Sequence, residues 1–338
     1  MRDRATASTV PTLIDIARET RTSVSTVSRV LAGGAPAQRI SRATRDKVIE
    51  AARRLGYRPN LLARSLRTRR SNTVALLVSD IANPWFGQIA SLVEQNLHRH
   101  GYSLMLCNSG EDAEVEAEYL RLLPQKGIDG LIVVPLVRTK KALYDLFPAK
   151  LPVVVLDRPI PGVVTTVYSD QDQQSKLLCD TLMRVGVKEV ALVAGPQHVV
   201  THRRRAEYAS QCFRIVSTHE GPAQKETGRQ AFIKFMELPQ PPHAVVCTNN
   251  FLAQGLIDSI EHAENPPIVG SFDEIPMMHL LPLPIVCSVQ DVPMLAEGCV
   301  RQLLPQLRGD TAWKPEPIVP DSRAVTNLAF QKLGGSQR

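Results

Sequence analysis

The chain has 338 residues, 43% of them hydrophobic, enough to build the cores of two or three domains. Its net charge of +7 is unevenly spread: residues 1–70 hold 16 Lys and Arg against 5 Asp and Glu, and the rest hold 24 against 28. A basic module ahead of a mildly acidic body points to a polyanionic partner. The six cysteines are scattered without C-x-x-C spacing, which argues against a zinc site or a disulfide framework; "MRDRATASTVP" lacks the apolar core of a signal peptide, and no apolar run reaches the length of a membrane span. A cytoplasmic protein without a membrane partner is expected.

The first segment reads as three short helices. "PTLIDIARET" carries Leu13, Ile16 and Ala17 on one face, with Pro11 and Thr12 as start signals. "TSVSTVSRVL" follows a break at Arg21–Ser23, with Ser23 as N-cap, Val27, Val30 and Leu31 facing the first helix, and Gly33 and Gly34 as its stop. "SRATRDKVIEAARRLGY" is the third helix, from a Ser41 cap to Gly56. Two short helices joined by a tight turn and braced by a third form a helix-turn-helix unit. From Thr73 the texture changes to short apolar runs rich in β-formers: "TVALLVSD", "YSLMLCNS", "DGLIVVP", "LPVVVLDR", "EVALVAG", "AVVCTNN", "PIVGSFDE" and "PIVCSVQ". They alternate with segments long enough for crossover helices, which predicts parallel sheets covered on both faces, in two α/β subdomains.

These stretches carry a resemblance. "TLIDIARETRTSVSTVSRVLAGG", the run from "ISRATRDKVIEAARRLGY" through "RPNLLARSLR" to "DIANPWFGQI", and then "VLDR" and "GSFDE" are similar to the LacI/GalR family of sugar-responsive transcription regulators, from about Thr12 to the C-terminus. Within it, "DQDQQSKLLCDTL" and the short segment after Arg204 resemble most the catabolite repressor/activator (fructose repressor) branch. The resemblance implies an all-α helix-turn-helix head over 1–58, a hinge helix and linker over 59–71, and an effector-binding and dimerisation body over 72–338. The body would be periplasmic-binding-protein-like, its chain crossing between subdomains near 168–171, 289–293 and 320–322. Two departures stand out: the turn reads Thr20-Arg21-Thr22-Ser23 where the family has close to A-G-V-S, so a left-handed Arg21 would cost about 1–2 kcal/mol, and Thr22 replaces an apolar anchor.

A recognition helix places its N-terminal side chains against base edges in the major groove. Here Val24 can meet a thymine methyl, Ser25 can donate or accept, and Arg29 can pair with guanine or a phosphate, while Thr26 and Ser28 hold the backbone. The resemblance implies that "RPNLLARSLR" folds on DNA and wedges Leu66 into the minor groove. In the body, polar candidates follow predicted strands, where α/β sheets bind ligands: Trp85 and Phe86, Asp157 and Arg158, Arg204, Asn249 and Asn250, and Asp273. An aromatic face, carboxylates and amides for hydroxyls and arginines for an anion suit a sugar or sugar phosphate, with Arg204 and Asp273 strongest by resemblance. At Asn250 the family more often has Asp.

The expected partners are a pseudo-palindromic double-stranded operator and a second copy of the chain, with helix Gly87–His100 as part of the dimer interface. Only "QKLGGSQR" follows "VTNLAF", too short for a tetramerising helix. The absence of a dinucleotide fingerprint, a P-loop, a G-x-S-x-G elbow or convincing histidine spacing predicts no enzyme, no cofactor and no metal. Control by a protein co-effector, or a sugar-binding protein without a DNA role, are the alternatives.

Overall fold

The computed structural model describes residues 11–33, 35–57, 70–260 and 265–335 and divides the chain into two units, Met1–Ser71 and Asn72–Arg338. In the first unit, α1 (Leu13–Thr20), α2 (Val24–Ala32) and α4 (Arg42–Arg54) pack around Ile16, Val27, Val30 and Val48 with Ala17, Ala51 and Ala52. A single helical turn, α3 (Ala35–Gln38), lies between α2 and α4 and is not part of the three-helix reading. The starts are chemical. The Asp15 carboxylate accepts from the Thr12 backbone N–H at 2.9 Å and from its hydroxyl at 2.7 Å, and these bonds hold its pKa below the usual value. Ser23 and Ser41 accept from the N–H groups of Thr26 and Thr44. Leu66, Gly34 and segment 58–69, which takes in most of the expected hinge, lie outside the described residues.

Arg21 is left-handed, at φ 52° and ψ 44°, and lets the Thr22 N–H close on the Ala17 carbonyl at 3.1 Å. Without glycine there, the head carries about 1–2 kcal/mol of steric cost. Thr22 compensates for its lost apolar anchor through a hydroxyl chain: its Oγ1 lies 2.8 Å from Thr20 Oγ1, which donates to the Ile16 carbonyl at 2.7 Å.

The second unit holds two sheets. The first has strand order β2-β1-β3-β4-β5 and is parallel throughout, from β1 (Thr73–Val78), β2 (Ser103–Asn108), β3 (Gly130–Val133), β4 (Val153–Leu156) and β5 (Thr166–Val167). The second has order β11-β10-β9-β8-β6-β7, from β6 (Glu189–Ala194), β7 (Arg214–Glu220), β8 (Ala244–Cys247), β9 (Ile268–Phe272), β10 (Ile285–Gln290) and β11 (Ser322–Thr326). It is mixed rather than purely parallel, because β11 pairs antiparallel with β10 as a largely exposed edge.

Helices cover both faces of each sheet. Around the first sheet lie α5 (Pro84–Arg99), α6 (Ala113–Gln125) and α7 (Lys140–Leu146); around the second lie α8 (Gln171–Arg184), α9 (Val200–Cys212), α10 (Lys225–Met236) and α11 (Asn250–Ile257). Between β10 and α12 (Val292–Arg308) the chain returns to the first sheet, where α12 packs with α5 on Val74, Leu76 and Ile132. A bridge from Val167 to Ile318 precedes the last passage, to β11 and α13 (Leu328–Gly335). No described helix is long and apolar enough to cross a membrane.

Candidate functional site

Strand order reverses at β1 in the first sheet and at β6 in the second, and ligands in open α/β sheets gather beyond the carboxyl ends of strands at such points. A cavity of about 540 Å³ opens there between the two halves of the body. Asp80 follows β1, Glu111 follows β2, Asp157 and Arg158 follow β4, Asn249 follows β8 and Asp273 follows β9, and all of them line it. Trp85 and Phe86 enter from the first turn of α5, which Asn83 caps, and their rings meet edge to face at 4.8 Å. The buried Trp85 Nε1–H has no hydrogen-bond partner among the described residues.

Of the residues singled out from sequence, the structure thus brings together Trp85, Phe86, Asp157, Arg158, Asn249 and Asp273. It does not bring Arg204, which is exposed on α9 and lines a neighbouring cavity. The arginine in the first cavity is Arg205. Its Nε donates to Gln171 Oε1 at 2.9 Å, Nη1 to the Thr248 carbonyl at 2.9 Å and Nη2 to Gln174 Oε1 at 3.2 Å. Asp273 Oδ2 lies 3.6 Å away, and the guanidinium sits 4.5 Å over the Phe272 ring. The buried stripe of α9 is Thr201, His202, Arg205, Ala206 and Ala209, a helical face that includes 205 and leaves 204 opposite.

Asn250 is buried but lines neither cavity. It exchanges two hydrogen bonds with Asn83 across the halves of the body, at 3.1 and 3.2 Å. Asn83 Oδ1 also accepts from the Trp85 N–H at 3.0 Å, which fixes which way its amide faces. Asn249 Oδ1 is committed to the Leu252 N–H as the cap of α11, leaving its amide N–H groups to donate.

Both turn aspartates are left-handed, Asp157 at φ 66° and Asp273 at φ 65°. Gln290 Nε2 donates to Asp273 Oδ1 at 2.8 Å, and Arg158 Nη2 donates to Glu111 Oε1 at 2.5 Å. Burial pushes the Asp157 carboxyl up, against the opposing pull of Arg158 and Arg205. The sequence reading passed over Glu111, His202, Glu220 and Gln290, which also line the cavity. Glu220 ends β7, a strand whose polar alternation conceals it, and His202 is legible only from the α9 stripe.

His202 is buried, and its pKa is driven well below the usual value, first by burial and then by Arg205 and Arg158. Thr248 Oγ1 accepts from the Gly195 N–H at 2.9 Å and lies 2.8 Å from His202 Nδ1. Above a pH of about 6.5 neither folded nor unfolded protein protonates this ring; below it only the unfolded chain does, so stability falls as pH falls. Urea titrations from pH 7 to 5 are therefore expected to show a loss approaching about 1.4 kcal/mol per pH unit from this ring, and His202→Gln is expected to flatten the slope by that amount. An unchanged slope in the variant would remove His202 from the acid response.

Comparison with known proteins follows the geometry. Residues 71–267 match the model for periplasmic binding proteins and the sugar binding domain of the LacI family, and residues 12–60 match the model for bacterial regulatory proteins of the lacI family. The chain is 30% identical over 255 residues to the HTH-type transcriptional regulator RegA of Clostridium saccharobutylicum, covering 73% of this chain and 76% of that one. It is 29% identical over 310 residues to the ribose operon repressor of Halalkalibacterium halodurans, covering 88% and 90%. Among solved structures, the Lac repressor dimer bound to operator and an anti-inducer shares the fold at a TM-score of 0.81 and 22% identity, over 94% of this chain and 98% of that one.

Proposed function

The chain belongs to the LacI family of DNA-binding transcriptional regulators, and from that premise we propose that it represses carbohydrate genes through an operator affinity set by a small polyhydroxylated ligand in the first cavity. One observation carries the ligand class: the cavity pairs an aromatic wall of Trp85 and Phe86 with a ring of fixed acceptors and donors, Asp157, Asp273, Gln290, Asn249 and Arg205. Aromatic rings stack on the C–H faces of sugars, and buried carboxylates and amides read hydroxyls. Its charge favours a neutral ligand. Five carboxylates line it against two arginines, and Arg205 and Arg158 each already face a carboxylate. The ribose operon repressor is named for a sugar of this kind.

On the DNA side the reading rests on Val24, Ser25 and Arg29, exposed along the start and outer face of α2, with Thr26 and Ser28 half-buried behind them. Ser23 Oγ lies 2.8 Å from both Ser25 Oγ and Thr26 Oγ1, which holds the hydroxyl row in place. Leu66, outside the described residues, is assigned the minor-groove wedge by family resemblance alone. A dimer matches two heads to two half-sites. Helix α5 offers Gln88, Ser91, Glu94 and Gln95 as its open face, and the neighbouring β2 edge exposes Leu106.

Fluorescence anisotropy on DNA from the gene's own upstream region, at fixed salt, tests both halves. Saturable binding that a neutral sugar shifts, and that Arg29→Ala weakens with a shallower salt slope, is the expected result. Binding that no sugar alters would retire the ligand reading in favour of a protein co-effector. Loss of sequence preference in Ser25→Ala without loss of the salt slope would place Ser25 at a base edge.

A further inference from the structure

Beside the first cavity lies a second, of about 590 Å³, with a different chemistry. The two share Asp157, Arg158, His198 and Thr201, so they meet along one seam. Away from that seam the first cavity holds one arginine, Arg205, against four carboxylates, Asp80, Glu111, Glu220 and Asp273. The second holds Arg138, Arg203 and Arg204 against Asp170 and Asp172. Asp170 is already occupied: its Oδ1 caps α8, accepting from the N–H groups of Asp172 and Gln173 at 2.9 and 3.2 Å.

The seam supplies the second observation. Arg158 is 5% exposed; among the described residues its buried Nη1 has no hydrogen-bond partner, and its buried Nε faces Asp157 Oδ2 at 3.8 Å, beyond hydrogen-bond distance. Its Nη2 donates to Glu111, on the side of the first cavity. A buried guanidinium whose Nη1 lacks an acceptor and whose Nε meets a carboxylate only at long range is costly unless a further acceptor arrives. Arg138 closes the rim by donating to the His198 carbonyl, and Arg203 and Arg204 stand on the α9 flank. Arg203 pairs loosely with Glu207 at 3.6 Å.

We propose that the second cavity binds an oxyanion of the phosphate type, held by the Nη1 edge of Arg158 and by Arg203 and Arg204. Planar guanidinium groups suit phosphate oxygens, which accept from several N–H donors at once. The "RRR" run is thus divided by helix geometry: Arg205 orders the first, carboxylate-rich cavity and its two predecessors serve the second, arginine-rich one. The phosphate could arrive as the charged end of a ligand that crosses the seam or as a separate small anion, and neither source depends on the first cavity binding a sugar.

The test is calorimetric titration of the full chain with inorganic phosphate at constant ionic strength, with chloride as comparator. Saturable phosphate binding that weakens about ten-fold or more in the Arg203→Ala/Arg204→Ala double variant, and not in the remote Arg308→Ala, is expected. No saturable phosphate binding, or equal affinity in the double variant, overturns the proposal. Arg204 is exposed and the Arg203 side chain is 38% exposed, so thermal unfolding close to the parent chain checks the fold. A neutral sugar and its phosphorylated form are titrated in parallel. A phosphorylated sugar that displaces phosphate and loses affinity in the double variant identifies a ligand spanning the seam; phosphate and neutral sugar bound together identify two ligands. Neutral-sugar affinity is read separately, so failure of the sugar reading and failure of the anion site are distinguishable.

Discussion

Gly255→Ala is expected to destabilise the body by about 3 kcal/mol or more, measured as a drop in urea midpoint at unchanged slope. A Cβ at Gly255 would lie 1.8 Å from the Lys225 carbonyl oxygen, and one at Gly228 would lie 2.1 Å from that of Leu252. Neither glycine has a left-handed backbone, so close approach of α10 to α11 explains both. Side chains can rotate out of a clash; a helix backbone can only move away, giving up the packing of Phe235, Leu252 and Leu256. The double variant Gly228→Ala/Gly255→Ala is expected to cost less than the sum of the two, since one separation relieves both contacts. Gly87→Ala is the counterpart: its Cβ meets nothing within 4 Å, it lies inside α5, and it is expected to stabilise by about 0.5–1 kcal/mol.

Arg205→Met is the second large effect, expected at about 3–5 kcal/mol, with loss of any ligand-dependent change in DNA affinity. The substitution keeps most of the side chain's length but leaves Asp273 without its cation, and the Thr248 carbonyl and the Gln171 and Gln174 side chains without their donor. Lysine would restore the charge but not the fork that spans three acceptors on two elements, so Arg205→Lys is expected to recover only part of the loss. Arg204→Ala, at an exposed position one residue earlier, is expected to change stability by less than about 0.5 kcal/mol. Chemical denaturation of the three variants side by side checks the assignment, and equal losses at 204 and 205 would sink it.

That contrast shows how the sequence can be read too little as well as too much. The α9 stripe of Thr201, His202, Arg205 and Ala209 is legible as helical periodicity, yet family resemblance directed attention to Arg204. Strands buried on both faces, such as β1, β3, β4 and β8, announce themselves as continuous apolar runs, because no position needs a solvent-compatible side chain. The edges do not. Strand β7 reads "RIVSTHE" and β11 reads "SRAVT", polar and half-exposed, and β5 has two residues, so none produces a pattern distinct from a loop. The cavity-lining positions after β1, β4, β8 and β9 are legible because polar residues abruptly follow apolar strands. Glu111 and Gln290 gave no comparable signal, since their roles depend on partners 47 and 17 residues away.

The Asn83–Asn250 pair bears on the regulator's resting bias. Both groups are neutral amides, so acid and salt, which modulate ion pairs elsewhere in the body, leave this junction almost untouched. Since the Trp85 N–H orients Asn83 in advance, the two halves meet preorganised. A ligand's apparent affinity is its intrinsic affinity scaled by the fraction of molecules already competent to bind. On the proposed function, exchanging Asn250 is therefore expected to shift the ligand concentration at which DNA affinity changes, while every side chain that lines the first cavity stays the same.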